Sequence, residues 1–198
     1  MANSAATLIS SQSRRGRGNS SVWLDAAANW GGAERQRAYV KQQTDYCCRP
    51  PWRAWRKTPL LAREHRALRA CQALGLAVPD VLHFECKALT ATLVVAEVQD
   101  SLPLDKALAA NPDARRLILT NVGDYLARLH GAGWYHGALY AHHMLISDTA
   151  EHTLCLIDFE KARRTRRRRG EDLNRFWRHN GYLTDPDRQI VLRAYGNP

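Results

Sequence analysis

The sequence predicts an α+β fold of two lobes, a small antiparallel sheet followed by a mostly helical part. The chain has 198 residues, which suits one ordinary domain or two small lobes that share a cleft. Hydrophobic residues make up 45% of it, enough to bury a core. Segments with strand-like alternation are concentrated before residue 98, and the longest helical periodicity comes after it. These observations divide the chain near residue 98 into a strand-rich part and a helix-rich part.

The first lobe is predicted to span residues 21–98, after a flexible tail over residues 1–20 that is rich in Ser, Arg, Gly and Asn. Its predicted strands, in chain order, cover residues 22–32 together with a turn, 37–43, 81–84 and 89–95. A helix is predicted over residues 58–74, because a threonine that can cap it is followed directly by proline. The first lobe is therefore expected to combine a sheet with a helix.

The second lobe, residues 99–198, is predicted to be mostly helical. Between Asp113 and Gly131, apolar residues recur at the spacing of one helix face, and glycine ends the pattern. Further helices are predicted over residues 101–110, 172–177 and 185–195, and short strands over 144–146 and 153–157. These two strands lie next to the residues that are candidates for the active site.

The charge of the chain favours an anionic partner. The formal net charge is +10, and 24 of the 29 basic residues are arginine, which grips phosphate through two parallel donors. Nucleic acid, an acidic membrane and a phosphorylated glycolipid all fit this charge, and the densest basic segment is residues 163–169, here called the arginine run. Only charge favours a nucleic-acid-binding protein, because the sequence has no RNA- or DNA-binding module signature.

Cysteine usage and hydropathy predict a cytoplasmic protein. The five cysteines lack C-x-x-C spacing and do not pair with histidines at ligand spacing, which predicts free thiols and no zinc site. No apolar run approaches the ~20 residues that cross a bilayer. The first residues also lack the apolar segment of a signal peptide.

The most informative motif is a loop followed by an aspartate at a strand end. In phosphoryl-transfer enzymes an H-x-D-x-x-x-x-N loop supplies a base and a metal-binding side chain, and a D-F-G segment after an apolar strand supplies the main magnesium ligand. Here His136 opens the loop and Asp158 follows the apolar residues 154–157. Ala138 stands at the position of the base and His143 at that of the asparagine. The pattern predicts phosphoryl transfer, with the catalytic carboxylate missing.

Phosphoryl transfer from ATP also needs a cation on the phosphates and a carboxylate to position that cation. Lys41 lies on a predicted strand and Glu64 on the next helix, the order that places such a pair over the cleft. Each signal is weak alone, because strand lysines and helical glutamates are usually solvated, but their order before His136 and Asp158 favours a kinase-like fold. We therefore expect Lys41 and Asp158 to face one cleft, with Lys41 on the phosphates and Asp158 and His143 on Mg²⁺.

The chain resembles the lipopolysaccharide core kinase family, the Kdo/heptose kinases and their InaA-like relatives, over residues 22–195. The residues that carry the resemblance are Tyr39-Val40-Lys41-Gln42-Gln43, Pro59 to Glu64, Ala73-Leu74-Gly75 with Val78-Pro79, His136-Gly137, Tyr140 with His143, and Ile157 to Arg163. The family implies a compact two-lobed, protein-kinase-like fold with a reduced C-terminal lobe, ATP with Mg²⁺, and transfer to a core sugar hydroxyl at the inner membrane of Gram-negative bacteria. It tolerates histidine in place of asparagine, so His143 matches it. Glu97 and Val98 resemble the nucleotide-binding hinge between kinase lobes.

Ala138 departs from the active members of that family, which carry aspartate there. A positioned base typically contributes about 10²–10⁴-fold in rate, whereas phosphoryl transfer depends more on positioning and charge stabilisation. Two functions therefore stay open: ATP-dependent phosphorylation of a lipopolysaccharide core sugar at the cytoplasmic membrane face, or a pseudokinase with a nucleotide-binding or regulatory role in envelope stress. His142, Tyr140 and Glu160 are alternative bases among which the sequence does not choose.

Overall fold

The computed structural model describes residues 7–14, 18–48, 57–165 and 169–196. The chain divides into two compact units, which are described separately below. The first unit comprises Met1–Arg69 and Pro79–Glu97, and the second comprises Ala70–Val78 and Val98–Pro198. The sequence predicted one boundary near residue 98, whereas the structure also assigns residues 70–78 to the second unit.

The first unit is built on an antiparallel sheet, as predicted. Its elements are β1 (Thr7–Arg14), β2 (Gly18–Ala26), β3 (Arg37–Thr44), β4 (Cys47–Cys48), β5 (Thr58–Pro59), α1 (Leu60–Ala73), β6 (Val81–Lys87) and β7 (Thr90–Ala96). In the described residues, five strands form the sheet in the order β1-β2-β3-β7-β6, and β4 pairs with β5. The strands predicted around residues 37–43, 81–84 and 89–95 are confirmed as β3, β6 and β7.

β1 and the start of β2 occupy a segment for which the sequence predicted a flexible tail. β1 pairs with β2 from Thr7 to Arg14, with an irregularity between Leu8 and Ser10. Leu8 and Ile9 are both exposed, so these two residues do not show the alternation of buried and exposed positions that identifies a strand in sequence. Backbone hydrogen bonds to β2 hold β1 at the edge of the sheet.

Alternation along β3 places one of its faces in the core of the first unit. Ala38 and Val40 are buried together with Ala27 and Val94, and Trp23, Trp30 and Leu82 pack against this cluster. β3 is paired with β2 on one side and β7 on the other. Successive strand residues point to opposite faces, so Lys41 lies on the face away from Val40 in the middle of the sheet.

α1 begins at Leu60, later than the sequence predicted. Thr58 and Pro59 do not start the helix because they form β5, which pairs with β4. The N–H of Leu61 donates to Oε1 of the buried Gln43 on β3 (3.3 Å). A side chain from the sheet thus satisfies a first-turn donor that the sequence assigned to a local cap.

The second unit is mostly helical, as predicted. Its elements are β8 (Ser101–Pro103), α2 (Leu104–Ala110), α3 (Arg115–Gly131), β9 (Trp134–Tyr135), β10 (Met144–Ser147), β11 (Leu154–Leu156), β12 (Arg163–Arg164), α4 (Arg169–His179) and α5 (Asp185–Tyr195). β11, β10 and β8 form one sheet, and β12 pairs with β9. Residues 101–103 form a strand where a helix was predicted, because their backbone pairs with β10.

Residues 70–78 belong to the second unit because they bond to α3. The Tyr125 hydroxyl donates to the Ala77 carbonyl (2.9 Å), and Arg128 donates to the Leu74 carbonyl (2.7 Å). These bonds join two segments far apart in sequence, which is why a sequence-based boundary misses them.

α3 and α5 pack closely in the second unit. A Cβ on Gly123 would lie 2.6 Å from the Cβ of Ala194, so a side chain there would push the helices apart. Arg115 at the start of α3 donates two hydrogen bonds to Asp187 near the start of α5, at 2.8 and 2.7 Å. These contacts fix the position of α5 and of Tyr195 at its end.

Among the described residues, no helix is both long and apolar enough to cross a membrane. Cys47, Cys71, Cys86 and Cys155 are in no disulfide. Burial raises the pKa of Cys71 to about 12, so this thiol stays protonated at neutral pH.

Candidate active site

In the first unit, Lys41 and Glu64 form the ion pair that the sequence predicted. Lys41 Nζ lies 2.7 Å from Glu64 Oε1, and the side chains are 19% and 2% exposed. A buried carboxylate is costly unless a cation compensates its charge, so Glu64 holds the Lys41 ammonium in one place. The partly exposed ammonium retains access to an anionic ligand.

Gln43, to which the sequence assigned no role in the site, positions this pair. It lies two residues after Lys41 on β3 and is buried. Besides accepting from the Leu61 N–H at the start of α1, its Nε2 donates to Ser20 Oγ on β2 (3.3 Å). Gln43 therefore ties the first turn of α1 to the sheet, and Glu64 follows one turn later. The sequence does offer a signal for this role: Gln43 is a polar residue on a strand predicted to lie in the sheet, where its side chain needs a hydrogen-bond partner.

In the second unit, His136 is a structural residue of the loop between β9 and β10. Its Nε2 donates to the Ile157 carbonyl (3.1 Å), and its ring packs edge-on against Phe159 with centroids 4.6 Å apart. Nδ1 accepts from the Ala138 N–H (3.3 Å), which fits the same neutral tautomer. Burial lowers the pKa of His136 to about 4, so the ring is neutral at physiological pH. His136 thus links the loop to the segment that carries Asp158.

Asp172 on α4 holds the start of this loop. Its carboxylate is fully buried and accepts from the backbone N–H groups of His136 (2.7 Å) and Gly137 (2.8 Å). The ring of His130 on α3 lies 3.1 Å from the same carboxylate, and its other nitrogen lies 2.9 Å from the Tyr195 hydroxyl. His130 therefore makes structural contacts within the second unit. The sequence did not identify Asp172 as a site residue, because its partners lie 35 and 36 positions away in the chain.

Further residues of α4 and its C-terminal end hold the rest of the loop. Arg175 Nη1 donates to the Gly137 carbonyl (2.7 Å), and Asn180 Nδ2 donates to the Leu139 carbonyl (3.2 Å). Gly137 has φ of +83°, and a Cβ there would lie 2.7 Å from the Tyr135 ring, so the position requires glycine. The backbone of the loop is therefore rigidly placed even though Ala138 has replaced the usual acidic residue.

Asp158 and His143 lie next to each other in the second unit. Asp158 follows β11 in a left-handed backbone conformation with φ of +63°, which is uncommon outside glycine and costs on the order of 1–3 kcal/mol. Its Oδ2 lies 3.4 Å from Nε2 of His143. Nδ1 of His143 donates to the Ala138 carbonyl (2.8 Å). The two residues that the sequence assigned to the metal thus present a carboxylate oxygen and an imidazole nitrogen side by side.

Ala138 offers no proton acceptor and is only 1% exposed. Two of the alternative bases named from the sequence lie side by side: the Tyr140 ring packs against the rings of His142 and His143, with centroids 5.4 and 5.2 Å away. Glu160 lies in the short 3₁₀ turn that follows Asp158. None of these contacts singles out one residue as the base.

Glu97 and Val98 stand where the chain passes from the first unit to the second. The Glu97 carboxylate accepts two hydrogen bonds from Arg37, at 2.8 and 2.6 Å, and its carbonyl accepts from Gln36 Nε2 (3.1 Å). The Val98 carbonyl accepts from the Ser101 hydroxyl (3.2 Å). These contacts order the segment, and its role in nucleotide binding remains a prediction.

The arginine run is only partly described. Arg163 and Arg164 form β12, which pairs with Trp134 and Tyr135 on β9, and both arginines are exposed. Residues 166–168 lie outside the described residues. Lys161 Nζ, just before the run, lies 5.9 Å from the centroid of the Tyr140 ring.

The architecture of the two units is that of a protein-kinase-like fold. A solved structure of WaaP in complex with acyl carrier protein matches with a TM-score of 0.71 and 17% identity, over 95% of this chain and 78% of that one. A co-crystal structure of WbdD with the kinase inhibitor LY294002 matches with a TM-score of 0.54 and 20% identity, over 84% of this chain and 40% of that one. At these identities the two matches establish the fold alone.

The sequence itself identifies the family. The model of the lipopolysaccharide kinase (Kdo/WaaP) family matches residues 3–195. The chain therefore belongs to the lipopolysaccharide kinase (Kdo/WaaP) family, which confirms the resemblance found in the sequence. No curated protein sequence matches the chain significantly.

Proposed function

We propose that this protein transfers the γ-phosphoryl group of ATP to a hydroxyl of a lipopolysaccharide core sugar. Family membership supports the reaction class. The observation that carries the proposal is the Lys41–Glu64 pair, in which a carboxylate only 2% exposed holds an ammonium 2.7 Å away. Such an arrangement is costly to fold and is expected where a fixed cation must meet phosphate.

Each site residue has a defined role in this proposal. Lys41 binds phosphate oxygens of ATP, and Glu64 positions Lys41. The backbone at Glu97 and Val98 contacts the base of the nucleotide. Asp158 and His143 bind the divalent cation that accompanies ATP, which neutralises charge on the phosphates as transfer proceeds. His136 serves the site by fixing the loop, since its burial and low pKa keep the ring neutral at neutral pH.

The residues that hold the cation are chemically suited to it. Mg²⁺ is usually held by one or two carboxylates together with substrate phosphates and water, not by a complete protein cage. Asp158 provides the carboxylate, and its side chain is 35% exposed, which leaves room for a hydrated ion. Among the described residues, no group of three or more His, Cys, Asp or Glu could hold a metal ion alone. A site completed by nucleotide fits this set of residues.

In the proposed reaction, the acceptor oxygen forms a bond to the γ-phosphorus while the bond to the β,γ-bridging oxygen breaks, and ADP leaves with that electron pair. The acceptor proton passes to a base or to water. Without a carboxylate at position 138, this proton transfer lacks the contribution of a positioned base, about 10²–10⁴-fold. The larger part of catalysis, positioning and charge stabilisation, depends on groups that are retained.

Nucleotide binding and transfer test the proposal directly. ATP with a divalent cation is expected to raise the melting temperature of the protein, and Lys41→Ala and Asp158→Ala are each expected to reduce this shift. The wild-type protein should transfer labelled phosphate from γ-labelled ATP to lipopolysaccharide core. The Asp158→Ala variant should transfer none. Arg116→Gln, an exposed position on α3, is the control and should behave as wild type. The absence of any ATP-induced shift would contradict the proposal.

A pseudokinase is the second candidate, and Ala138 is the observation that favours it. The position of the base holds a methyl group that is 1% exposed. A pseudokinase would show the ATP-induced shift, its loss in Lys41→Ala, and no phosphate transfer under any condition. Binding and transfer assays on the same preparation therefore separate the two candidates.

We also propose a cellular location for the protein, the cytoplasmic face of the inner membrane, where the lipopolysaccharide core acceptor would be accessible to it. The support is the net charge of +10 and the exposure of Arg163 and Arg164 in the arginine run. Each Lys or Arg of a basic segment near an anionic lipid surface contributes about 1 kcal/mol of binding free energy.

A further inference from the structure

Three hydrogen-bonded side chains, here called the α5 linkage, lead from the end of α5 to the loop between β9 and β10. The Tyr195 hydroxyl lies 2.9 Å from Nδ1 of His130, and Nε2 of His130 lies 3.1 Å from Oδ2 of Asp172. Asp172 in turn accepts from the backbone N–H groups of His136 and Gly137. The start of the loop is therefore connected to α5 through one residue of α3 and one of α4.

The acceptors in the α5 linkage fix the direction of each hydrogen bond. An ionised carboxylate can only accept, so Nε2 of His130 donates to Asp172. In the neutral ring, Nδ1 then carries the lone pair and accepts from the Tyr195 hydroxyl. Tyr195 thus holds His130 in the tautomer and the orientation that the bond to Asp172 requires.

Burial makes each bond of the linkage costly to lose. The side chains of His130 and Asp172 are 1% and 0% exposed, so water does not readily replace a lost partner. Asp172 Oδ2 accepts from His130 and also from the His136 N–H (2.7 Å), and Oδ1 accepts from the Gly137 N–H (2.8 Å). A shift of the His130 ring would therefore move the carboxylate that places the backbone of the loop.

The other end of the linkage is held by the packing of α5 on α3. Arg115 ties the start of α5 to α3, and Gly123 lets Ala194, the neighbour of Tyr195, come close to α3. The rings of Tyr195 and His130 also meet edge to face, with centroids 5.6 Å apart and planes at 75°. The Tyr195 hydroxyl is therefore presented to His130 from a fixed position.

We propose that Tyr195 and His130 are positioning residues of the active site, which set the place of the loop through Asp172. The last turn of α5 is thereby part of what presents residues 138–143. The catalytic part of this proposal rests on the proposed function, whereas the positional part depends only on the contacts. It goes beyond that function because the order of the loop depends on one hydroxyl that acts on no substrate.

Amide hydrogen exchange reports the order of the loop without any enzymatic activity. NMR can follow the exchange of the His136 and Gly137 N–H groups in Tyr195→Phe, which loses the hydroxyl and keeps the ring. Their exchange rates should rise by roughly 5-fold, which corresponds to the typical net contribution of one hydrogen bond, about 1 kcal/mol. The ¹⁵N chemical shift of His130 Nδ1 should also change, because this nitrogen loses its donor.

Tyr125→Phe is the matched control. Tyr125 lies on α3, and its hydroxyl also donates one hydrogen bond of 2.9 Å, to the Ala77 carbonyl. The substitution removes the same group and a bond of the same length but leaves the α5 linkage intact. Exchange of the His136 and Gly137 amides should therefore stay at the wild-type rate.

Two substitutions of His130 test the bond to Asp172. His130→Gln retains an N–H donor at the end of its side chain, whereas His130→Leu removes the donor and leaves an apolar group. Exchange of the His136 and Gly137 amides should rise more in His130→Leu than in His130→Gln. Equal rises would show that packing of the ring, and not its hydrogen bond, holds the loop, and would overturn the proposal.

Kinetics of the same variants tests the catalytic part of the proposal. A misplacement of about 1 Å can cost about 10²-fold in rate, so the smaller shift expected in Tyr195→Phe should lower kcat by roughly 3- to 10-fold. The KM for ATP should stay unchanged, because the bonds that are lost order the loop and not the Lys41–Glu64 pair. Tyr125→Phe should retain both constants.

The outcomes separate this proposal from the proposed function. Faster exchange at the loop in Tyr195→Phe and not in Tyr125→Phe, in a protein that transfers no phosphate, would support the positioning role and reject transfer. Unchanged exchange in Tyr195→Phe, or an equal rise in Tyr125→Phe, would overturn the positioning role even if the wild type is active. In an active protein, an unchanged kcat in Tyr195→Phe would overturn the catalytic part.

Discussion

At the scale of single residues, Ala138 is the position on which activity depends most directly. The backbone around it is held as in a working loop, by Asp172 and Arg175 through Gly137 and by His136 through its ring. Only the carboxylate is missing. This position is only 1% exposed, so an aspartate there would be enclosed, at a cost to folding.

Restoring the carboxylate tests whether the rest of the site is aligned. Ala138→Asp should raise phosphate transfer to lipopolysaccharide core by up to about 10²–10⁴-fold, because it adds a positioned base. It should also lower the free energy of unfolding by roughly 1–3 kcal/mol, because a charged group enters an enclosed position. Transfer of labelled phosphate and urea unfolding measure the two effects.

Ala138→Asn is the control, since it adds similar volume and polarity without a basic oxygen. It should share the loss of stability and show no gain in transfer. If wild type is active and Ala138→Asp brings no gain, another residue is the base. His142→Ala and Glu160→Ala would then identify it.

At the scale of secondary-structure elements, α4 is the support of the loop. One carboxylate on it, Asp172, receives two backbone N–H groups and faces His130, and all of these groups are buried. A buried donor that loses its acceptor costs about 1–3 kcal/mol. The order of the loop therefore depends on the charge and the two oxygens of this side chain.

Asp172→Asn should destabilise the protein and impair transfer more than nucleotide binding. The amide replaces one acceptor by a donor that faces another donor, so the free energy of unfolding should fall by roughly 2–3 kcal/mol. The turnover rate should fall while the ATP-induced thermal shift, measured on the folded variant, is largely retained. Asp124→Asn, an exposed aspartate on α3, should change stability by no more than about 0.5 kcal/mol. Equal effects of both variants would contradict the role given to Asp172.

The contact between α3 and α5 predicts a pH dependence of stability. Hydrogen bonds from Arg115, and others from Thr184, hold the pKa of Asp187 well below its usual range. A lowered pKa in the folded state stabilises the protein at every pH above the ordinary aspartate pKa of about 3.9, and that contribution is lost as the pH falls below it. Asp187→Asn should therefore lower the free energy of unfolding by roughly 2 kcal/mol at pH 7, through the lost charged hydrogen bonds and helix cap.

The measurement is urea unfolding of wild type and Asp187→Asn at pH 7 and at pH 3. The difference in the free energy of unfolding between the two proteins should be smaller at pH 3, because the ionised Asp187 contributes less stability below the ordinary aspartate pKa. A difference that is the same at both pH values would show that packing, not the charge of Asp187, dominates.

At the scale of the whole molecule, the excess of arginine predicts binding to anionic surfaces. Replacing Arg166, Arg167, Arg168 and Arg169 by glutamine should abolish binding to vesicles that contain anionic lipid, because charge drives it. Wild-type binding should fall steeply between low and physiological salt, as screening predicts. ATP binding should remain intact. Vesicle co-sedimentation and the thermal shift measure the two properties.

A control with equal loss of charge distinguishes a local patch from net charge. The exposed arginines Arg35, Arg66, Arg116 and Arg193 lie outside the arginine run and can be replaced by glutamine together. That variant should retain most of the vesicle binding. Equal losses in both variants would mean that total charge, and not the run, attracts the protein to the membrane.

The sequence by itself determined the α+β class, the strand that carries Lys41, the helix that carries Glu64, and the loop and strand end that carry His143 and Asp158. These features follow from local periodicity and from residue types at short spacing, which a single chain displays directly. Tertiary structure alone decided what holds them: Gln43 bonds to α1 over 18 positions and Asp172 bonds to His136 over 36. A polar side chain shows its buried partner only after folding brings the two together, because the desolvation that makes the bond necessary exists only in the packed state.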